Sequence, residues 1–113
     1  MKIEGEGYSV EYRDADNTVV FDGTLRLGGM PEYTPILDLL NEALEKGGNT
    51  LTVDMRALQL LNSSGITMMS KFVIGCRSKN SSIKMMAAES IPWQGKSLKN
   101  LQRLLPSLEL DVA

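Results

Sequence analysis

The stretch VDMRALQLLNSSGITMMSKFV, residues 53 to 73, decides how this chain is read. It opens inside Thr50 to Met55, a short run that is β-branched and apolar apart from Asp54, as a strand buried in a parallel sheet would be. Arg56 to Leu61 follow as a loop, and then Asn62-Ser63-Ser64-Gly65. From Gly65 to about Ser78 the spacing turns helical, with Ile66, Met69, Val73 and Cys76 on one side. Strand, polar turn and helix make half of a parallel α/β unit. The serines lie just beyond the carboxyl end of the strand, where ligands and modifications of such sheets gather.

Asn and Ser are favoured N-caps, so either serine can satisfy the free N–H groups of the first helical turn. A phosphate, carrying about −1.5 to −2 charges, would be accepted by the same N–H groups and by the positive end of the helix dipole. Cap and phosphosite are therefore compatible at one position, and the modification would change only the surface shown to a partner. The helix itself is apolar over most of its circumference. Met68, Phe72 and Ile74 widen the stripe, leaving mainly Thr67, Ser70 and Lys71 polar. Such a helix needs cover on more than one face, from neighbouring helices or from a partner.

Working outward, Tyr8, Val10 and Tyr12 alternate with polar residues as a half-buried strand does. Asp14-Ala15-Asp16-Asn17 is turn chemistry, and Thr18 to Leu27 reads as a second strand, giving an antiparallel hairpin. Gly28-Gly29-Met30-Pro31 breaks that strand, and Pro31 suits a first helical turn because its missing N–H has no intrahelical partner there. Ile36, Leu39, Leu40, Ala43 and Leu44 then follow at helical spacing until Gly47-Gly48. Downstream, Ser82 to Ala88 reads as a strand, Ser97 to Leu105 as a helix and Leu108 to Val112 as a last short strand. The order β-β-α-β-α-β-α-β predicts a single α/β domain over residues 1–113. Its mixed sheet would hold about five strands, an antiparallel N-terminal hairpin joined to a parallel core, with three main helices.

Composition narrows the chemistry. The 113 residues suit one hydrophobic core, and 42% apolar with 23% charged residues is ordinary for a globular protein. There is no histidine, which removes Ser-His and Cys-His nucleophile pairs and mixed Cys/His zinc sites. No enzyme, metal site or cofactor is expected. Gln94-Gly95-Lys96-Ser97 has the tail of a phosphate-binding loop, but Ser90 stands where such a loop needs glycine. Ser97 is read instead as the cap of the third helix, with Lys96, Lys99 and Arg103 as its solvated face, and Trp93 as a packing anchor. The lone Cys76 is read as a small core residue. No apolar run is long enough to span a bilayer and MKIEGEG has no apolar signal segment, so a cytoplasmic location away from membranes is expected. Residues 1 to 50 carry four Lys/Arg against ten Asp/Glu, and residues 51 to 113 carry eight against four. That asymmetry can steer a partner, although the overall balance is too acidic to point to nucleic acid.

The element order, together with VDMRALQLLNSSGITMMSKFV, resembles the STAS domain family of sulphate transporters and anti-sigma factor antagonists. The family pattern is a strand ending in Asp, a small loop, an apolar pair, Asp-Ser-Ser-Gly or Asp-Ser-Thr-Gly, and a helix. Asp54, Leu58, Leu60 to Gly65 and the Gly23-Thr24-Leu25 element fit it, and the likeness covers nearly the whole chain. LRLGGMPEYTPILDLLNEAL and IPWQGKSLKNLQRLLP look like a small bacterial branch of STAS-like regulators. The resemblance implies a non-enzymatic regulator that switches partners under reversible phosphorylation of Ser63, with Ser64 as the alternative acceptor. It implies as partners a serine kinase or anti-sigma factor of histidine-kinase-like ATPase fold and a PP2C-type phosphatase. The contact surface would be Gly28, Gly29 and Met30, the turn Asn62, Ser63, Ser64 and Gly65, and Thr67, Met68 and Lys71 of the second helix. Two positions depart from the pattern: Asn62 stands for the family's acid, and Arg26 replaces the acid that often follows Gly-x-Leu. The competing reading is a constitutive protein-interaction module whose serines only cap the helix.

Overall fold

The computed structural model describes residues 1–113. Its elements run β1 (Lys2–Gly5), β2 (Tyr8–Arg13), a 3-10 turn (Asp14–Asp16), β3 (Thr18–Leu25), α1 (Met30–Lys46), β4 (Thr50–Leu61), α2 (Ser63–Ser78), β5 (Ser82–Ala87), α3 (Pro92–Leu104) and β6 (Glu109–Val112). The six strands lie side by side in chain order. β1, β2 and β3 pair antiparallel, whereas β3 to β6 run parallel. The mixed α/β sheet with an antiparallel start, a parallel core and three helices is thus as the sequence predicts. The additional strand is β1, which escapes a periodicity reading because Ile3 is its only apolar residue. At the expected hairpin, Asn17 takes the left-handed conformation at φ 51°. Its amide donates to Thr50 O at 2.7 Å and its Oδ1 accepts from Tyr12 Oη at 2.8 Å, so the turn is tied to the start of β4.

The core faces one way. Val10, Val19, Phe21, Val53, Met55, Ile83 and Met85 are buried together with the inner sides of all three helices in one cluster. Alternate residues such as Thr52, Asp54, Lys84 and Met86 are only half-buried on the opposite face. There Arg56 Nε and Nη2 donate to Asp54 Oδ1 and Oδ2 at 3.0 and 2.9 Å, holding that carboxyl below its ordinary pKa. α2 lies between α1 and α3, which covers Met68, Met69, Phe72, Val73 and Cys76. The first four of these contribute about 1.5–3 kcal/mol each by leaving water. Neighbouring helices therefore account for most of the wide apolar arc. No helix is long and apolar enough to cross a membrane.

Two sequence expectations change at β4 and α3. Arg56 to Leu61 is strand, not loop. β4 carries one extra residue between the pairs Val20↔Asp54 and Asp22↔Ala57, and another between Gly23↔Leu58 and Thr24↔Leu60. These bulges put Met55, Leu58 and Leu61 on the core side at spacing three and erase the alternation by which a strand is recognised. β5 stays beside β4 only as far as Asp54↔Met86. In the gap beyond, the fully buried Gln94 donates to Met55 O at 2.5 Å and Leu58 O at 2.9 Å and accepts from Ala88 N–H at 2.9 Å. Trp93 Nε1 adds a bond to Leu58 O at 3.2 Å. The anchor expected of Trp93 is real, but α3 begins at Pro92 and not at Ser97. Ser97 is inside the helix, so it is not the cap, and the Gly95-Lys96-Ser97 segment forms no loop.

Candidate functional site

The bulged end of β4 delivers its last residue against the end of β3, in the register Leu25↔Leu61. Asn62 then leaves the sheet and caps α2. Its backbone is extended at φ −76°, ψ 176°, and its N–H donates to Leu25 O at 3.1 Å. Its Oδ1 accepts from Gly65 N–H at 3.0 Å and from the Tyr33 hydroxyl at 2.6 Å, and its Nδ2 donates to Leu27 O at 2.8 Å. One side chain joins β3, α1 and α2. This work requires an amide, because a carboxylate could accept the first two bonds but has no proton for the Leu27 carbonyl. The departure of Asn62 from the acidic residue of the STAS pattern therefore has a structural cause. The partner hydroxyl is secure as a donor. Tyr33 is fully buried, and burial pushes its phenol pKa above 10.0, against the lowering effect of Leu27 N–H and with help from Tyr8 and Glu32.

Glycine is needed on both sides of this junction. A Cβ at Gly65 would run into Leu61 and stand 2.9 Å from Tyr33 Oη, so the residue after the serines is small for reasons of packing. Gly29 caps α1 at φ 156°, ψ −177°, a region closed to residues with a Cβ. Gly28 N–H donates to the Glu32 carboxylate. The loop before α1 is thereby fixed at one end by Glu32 and at the other by Asn62 through Leu27.

Neither serine supplies the cap, since that task falls to Asn62. The first helical bonds are Gly65 N–H to Asn62 Oδ1 and Ile66 N–H to Asn62 O at 3.0 Å, which leaves the N–H groups of Ser63 and Ser64 ahead of the ladder. Ser63 is exposed and Ser64 half-buried. Gly28, Thr67 and Lys71 are exposed beside them, and Gly29 and Met30 are half-buried. Two residues of the expected contact surface do not reach it. Met68 is 0% exposed, packed under the neighbouring helices, and Gly65 is buried against Leu61 and Tyr33. Ile74, at 50% exposed, takes the outward place instead. Its position one turn beyond Lys71 was readable, but counting it into an apolar arc hid the fact that it points away from both flanking helices. None of the surface depressions is lined by Ser63, Ser64 or Thr67. An open surface of this kind suits a protein partner better than a small ligand, which needs a cleft.

No protein-family model matches the sequence, and no curated protein matches it. Solved structures do share the fold. The chain is similar, at 13% identity and a TM-score of 0.71, to a chain in the crystal structure of the diguanylate cyclase SiaD in complex with its activator SiaC from Pseudomonas aeruginosa, over 100% of this chain and 99% of that one. It is similar to apo-SiaC of the same organism at 12% identity and a TM-score of 0.70, over 99% and 96% of the two chains. The architecture is consistent with the STAS-like fold expected from the sequence. The expected partners are corrected by the same likeness. In that structure the partner of SiaC is the diguanylate cyclase it activates, where the sequence reading expects a histidine-kinase-like serine kinase or anti-sigma factor with its PP2C-type phosphatase. The physical reason is general, since partner choice lives in surface side chains and not in the sheet and helices that carry them.

Proposed function

We propose that the chain is a non-enzymatic regulator that works by docking on a partner protein, as SiaC does on the diguanylate cyclase SiaD, and that a phosphoryl group on Ser63 governs docking. In the modification, the γ-phosphoryl of ATP passes to Ser63 Oγ, the hydroxyl loses its proton and ADP departs. The observation that carries the reading is the division of labour at the start of α2. Asn62 holds the cap, so Ser63 is exposed and relieved of any structural task. Two free N–H groups and the positive end of a 16-residue helix are there to accept the charge. A phosphate there alters the surface without disturbing the fold.

Two measurements test this. Protein purified from its native cells in several growth states should show a fraction heavier by one phosphate, located on Ser63 by fragmentation. Captured from those cells as bait, the chain should retain a diguanylate cyclase and raise its activity, whereas Ser63→Asp should lose the partner with an unchanged thermal melt. An unmodified chain in every state, or a Ser63→Asp variant that captures the same protein equally well, would sink the switch. The competing reading, a constitutive module, predicts that second result.

A further inference from the structure

We infer that the outward faces of α2 and α3 form one docking surface for an acidic amphipathic helix of a partner protein. α2 and α3 carry Lys71, Arg77, Lys96, Lys99 and Arg103 and no Asp or Glu. All five cations are exposed. The ion pairs of the molecule are Lys2–Glu4, Arg56–Asp54 and Lys84–Asp111, which lie elsewhere, so none of the five is neutralised internally. Amid this charge Ile74 is half exposed, the one large apolar side chain so exposed outside the terminal Met1 and Val112. The two helices pack side by side, and neighbouring helices about 8–10 Å apart leave a groove that fits a third helix about 10 Å across. The basic half of the sequence thus becomes a basic half of the helical layer, with one apolar anchor in it.

The flank of the layer selects the occupant. α1, on the other side of α2, exposes Glu32, Asp38, Glu42 and Glu45 against a single Lys46. A broad polyanion, whether a lipid bilayer or a nucleic-acid duplex, would overlie α1 as well and be repelled there. A single acidic helix seated over α2 and α3 avoids that edge, and its apolar side can cover Ile74. Ser63 lies on the same stripe of α2 as Ile74, eleven residues away or about 16 Å along the axis. If Ser63 is modified as proposed above, the added charge meets the partner's acids and weakens docking. That sign rests on the Ser63 reading, whereas the docking surface does not.

The test uses the full chain and a fluorescein-labelled 16-residue peptide, the length of α2, with glutamates on one helical face and leucines on the other. Its counterpart replaces every glutamate by lysine. The acidic peptide should bind at least about tenfold more tightly than the basic one, with an affinity that falls as salt rises. Lys99→Glu with Arg103→Glu, and separately Ile74→Glu, should each weaken it about tenfold or more with unchanged melts. Glu42→Lys with Glu45→Lys on α1 should leave it as tight or tighter. Equal binding of the two peptides, indifference to the charge reversals, or tighter capture of phosphatidylserine vesicles or of a DNA duplex would overturn the inference. Ser63→Asp separates the two proposals. If it leaves capture of the native partner intact while the reversals abolish peptide binding, the surface stands and the switch falls. If it abolishes capture of the native partner while the reversals change nothing, the switch stands and the acidic-helix surface falls.

Discussion

Asn62 shows how one side-chain atom pair can set a local geometry. Its oxygen takes two donors and its nitrogen one carbonyl, so each replacement removes a different bond. Asn62→Ala loses the cap, leaves the buried Tyr33 hydroxyl proton without an acceptor and takes the amide donor from the Leu27 carbonyl, a loss of about 2–4 kcal/mol. Asn62→Asp keeps both acceptor bonds and gains about 0.5 kcal/mol from the helix dipole, but it sets a carboxylate against the Leu27 carbonyl at a loss of about 1–3 kcal/mol. Urea unfolding should therefore rank the proteins wild type, Asn62→Asp, Asn62→Ala in falling stability. An Asn62→Asp chain as stable as wild type would show that the amide donor is dispensable. Tyr33→Phe should lose less than Asn62→Ala, because Asn62 would still cap Gly65 and still reach Leu27. The cap was legible in the sequence as a residue class, Asn or Ser before a helix, but not as a particular residue. The choice depends on Tyr33 and Leu27, 29 and 35 positions away.

At the scale of elements, the clasp between α3 and β4 is what aims the start of α2. Past Asp54 the strand has no β5 beside it, and Gln94 supplies the missing ladder partners. Gln94→Leu removes the three bonds and takes their side-chain partner from the Met55 carbonyl and the Ala88 N–H. Trp93 remains on Leu58 O, so the expected loss is about 2–4 kcal/mol and not complete unfolding. Hydrogen exchange should show the damage at Leu58 to Gly65 before it appears in β2 or α1, and uniform loosening would show that Gln94 serves the whole core alike. The sequence disclosed elements whose signal is local. α1 has its proline start, apolar spacing and glycine stop, and the β2–β3 hairpin has alternation and a turn. It misjudged elements whose cause is distant. The second half of β4 lost its period to two bulges, and the first turn of α3 was hidden because the partners of Gln94 lie 36 and 39 residues upstream. Met68 enters the expected contact surface through the family likeness alone, and a helix apolar on most sides carries no local sign of which neighbours cover it.

The whole molecule is built around one cluster of 28 buried residues, and α2 crosses its middle. That arrangement makes Cys76 a reporter of global opening. Its side chain is 1% exposed, and burial pushes its thiol pKa from 9.0 to about 11, with Lys79 acting weakly the other way. A thiolate is the reactive form, so the folded chain resists a disulfide reagent twice, by cover and by protonation. α2 is held on both sides by α1 and α3, and a domain of this size opens cooperatively. Labelling in native buffer should be at least about a thousandfold slower than in urea, given a stability of about 5 kcal/mol or more. The urea dependence identifies the route. If the thiol reacts only when the chain unfolds, the logarithm of the rate rises at low urea with the full m-value of global unfolding, whereas a reagent that reaches the folded state gives a rate that low urea scarcely changes. On either route the rate climbs with pH towards about 11, because ionisation of the open thiol above 9.0 itself favours opening. The comparison belongs at one pH below 9.0, where Tyr12 and Tyr33 are held neutral by burial with pKa values above 10.0. Their contribution to stability is present below 10.0 and is lost as the pH rises through those higher values. A urea slope equal to that of global unfolding places α2 in the last part of the molecule to open, and so makes the surface it carries a rigid platform on which charge alone changes what can dock.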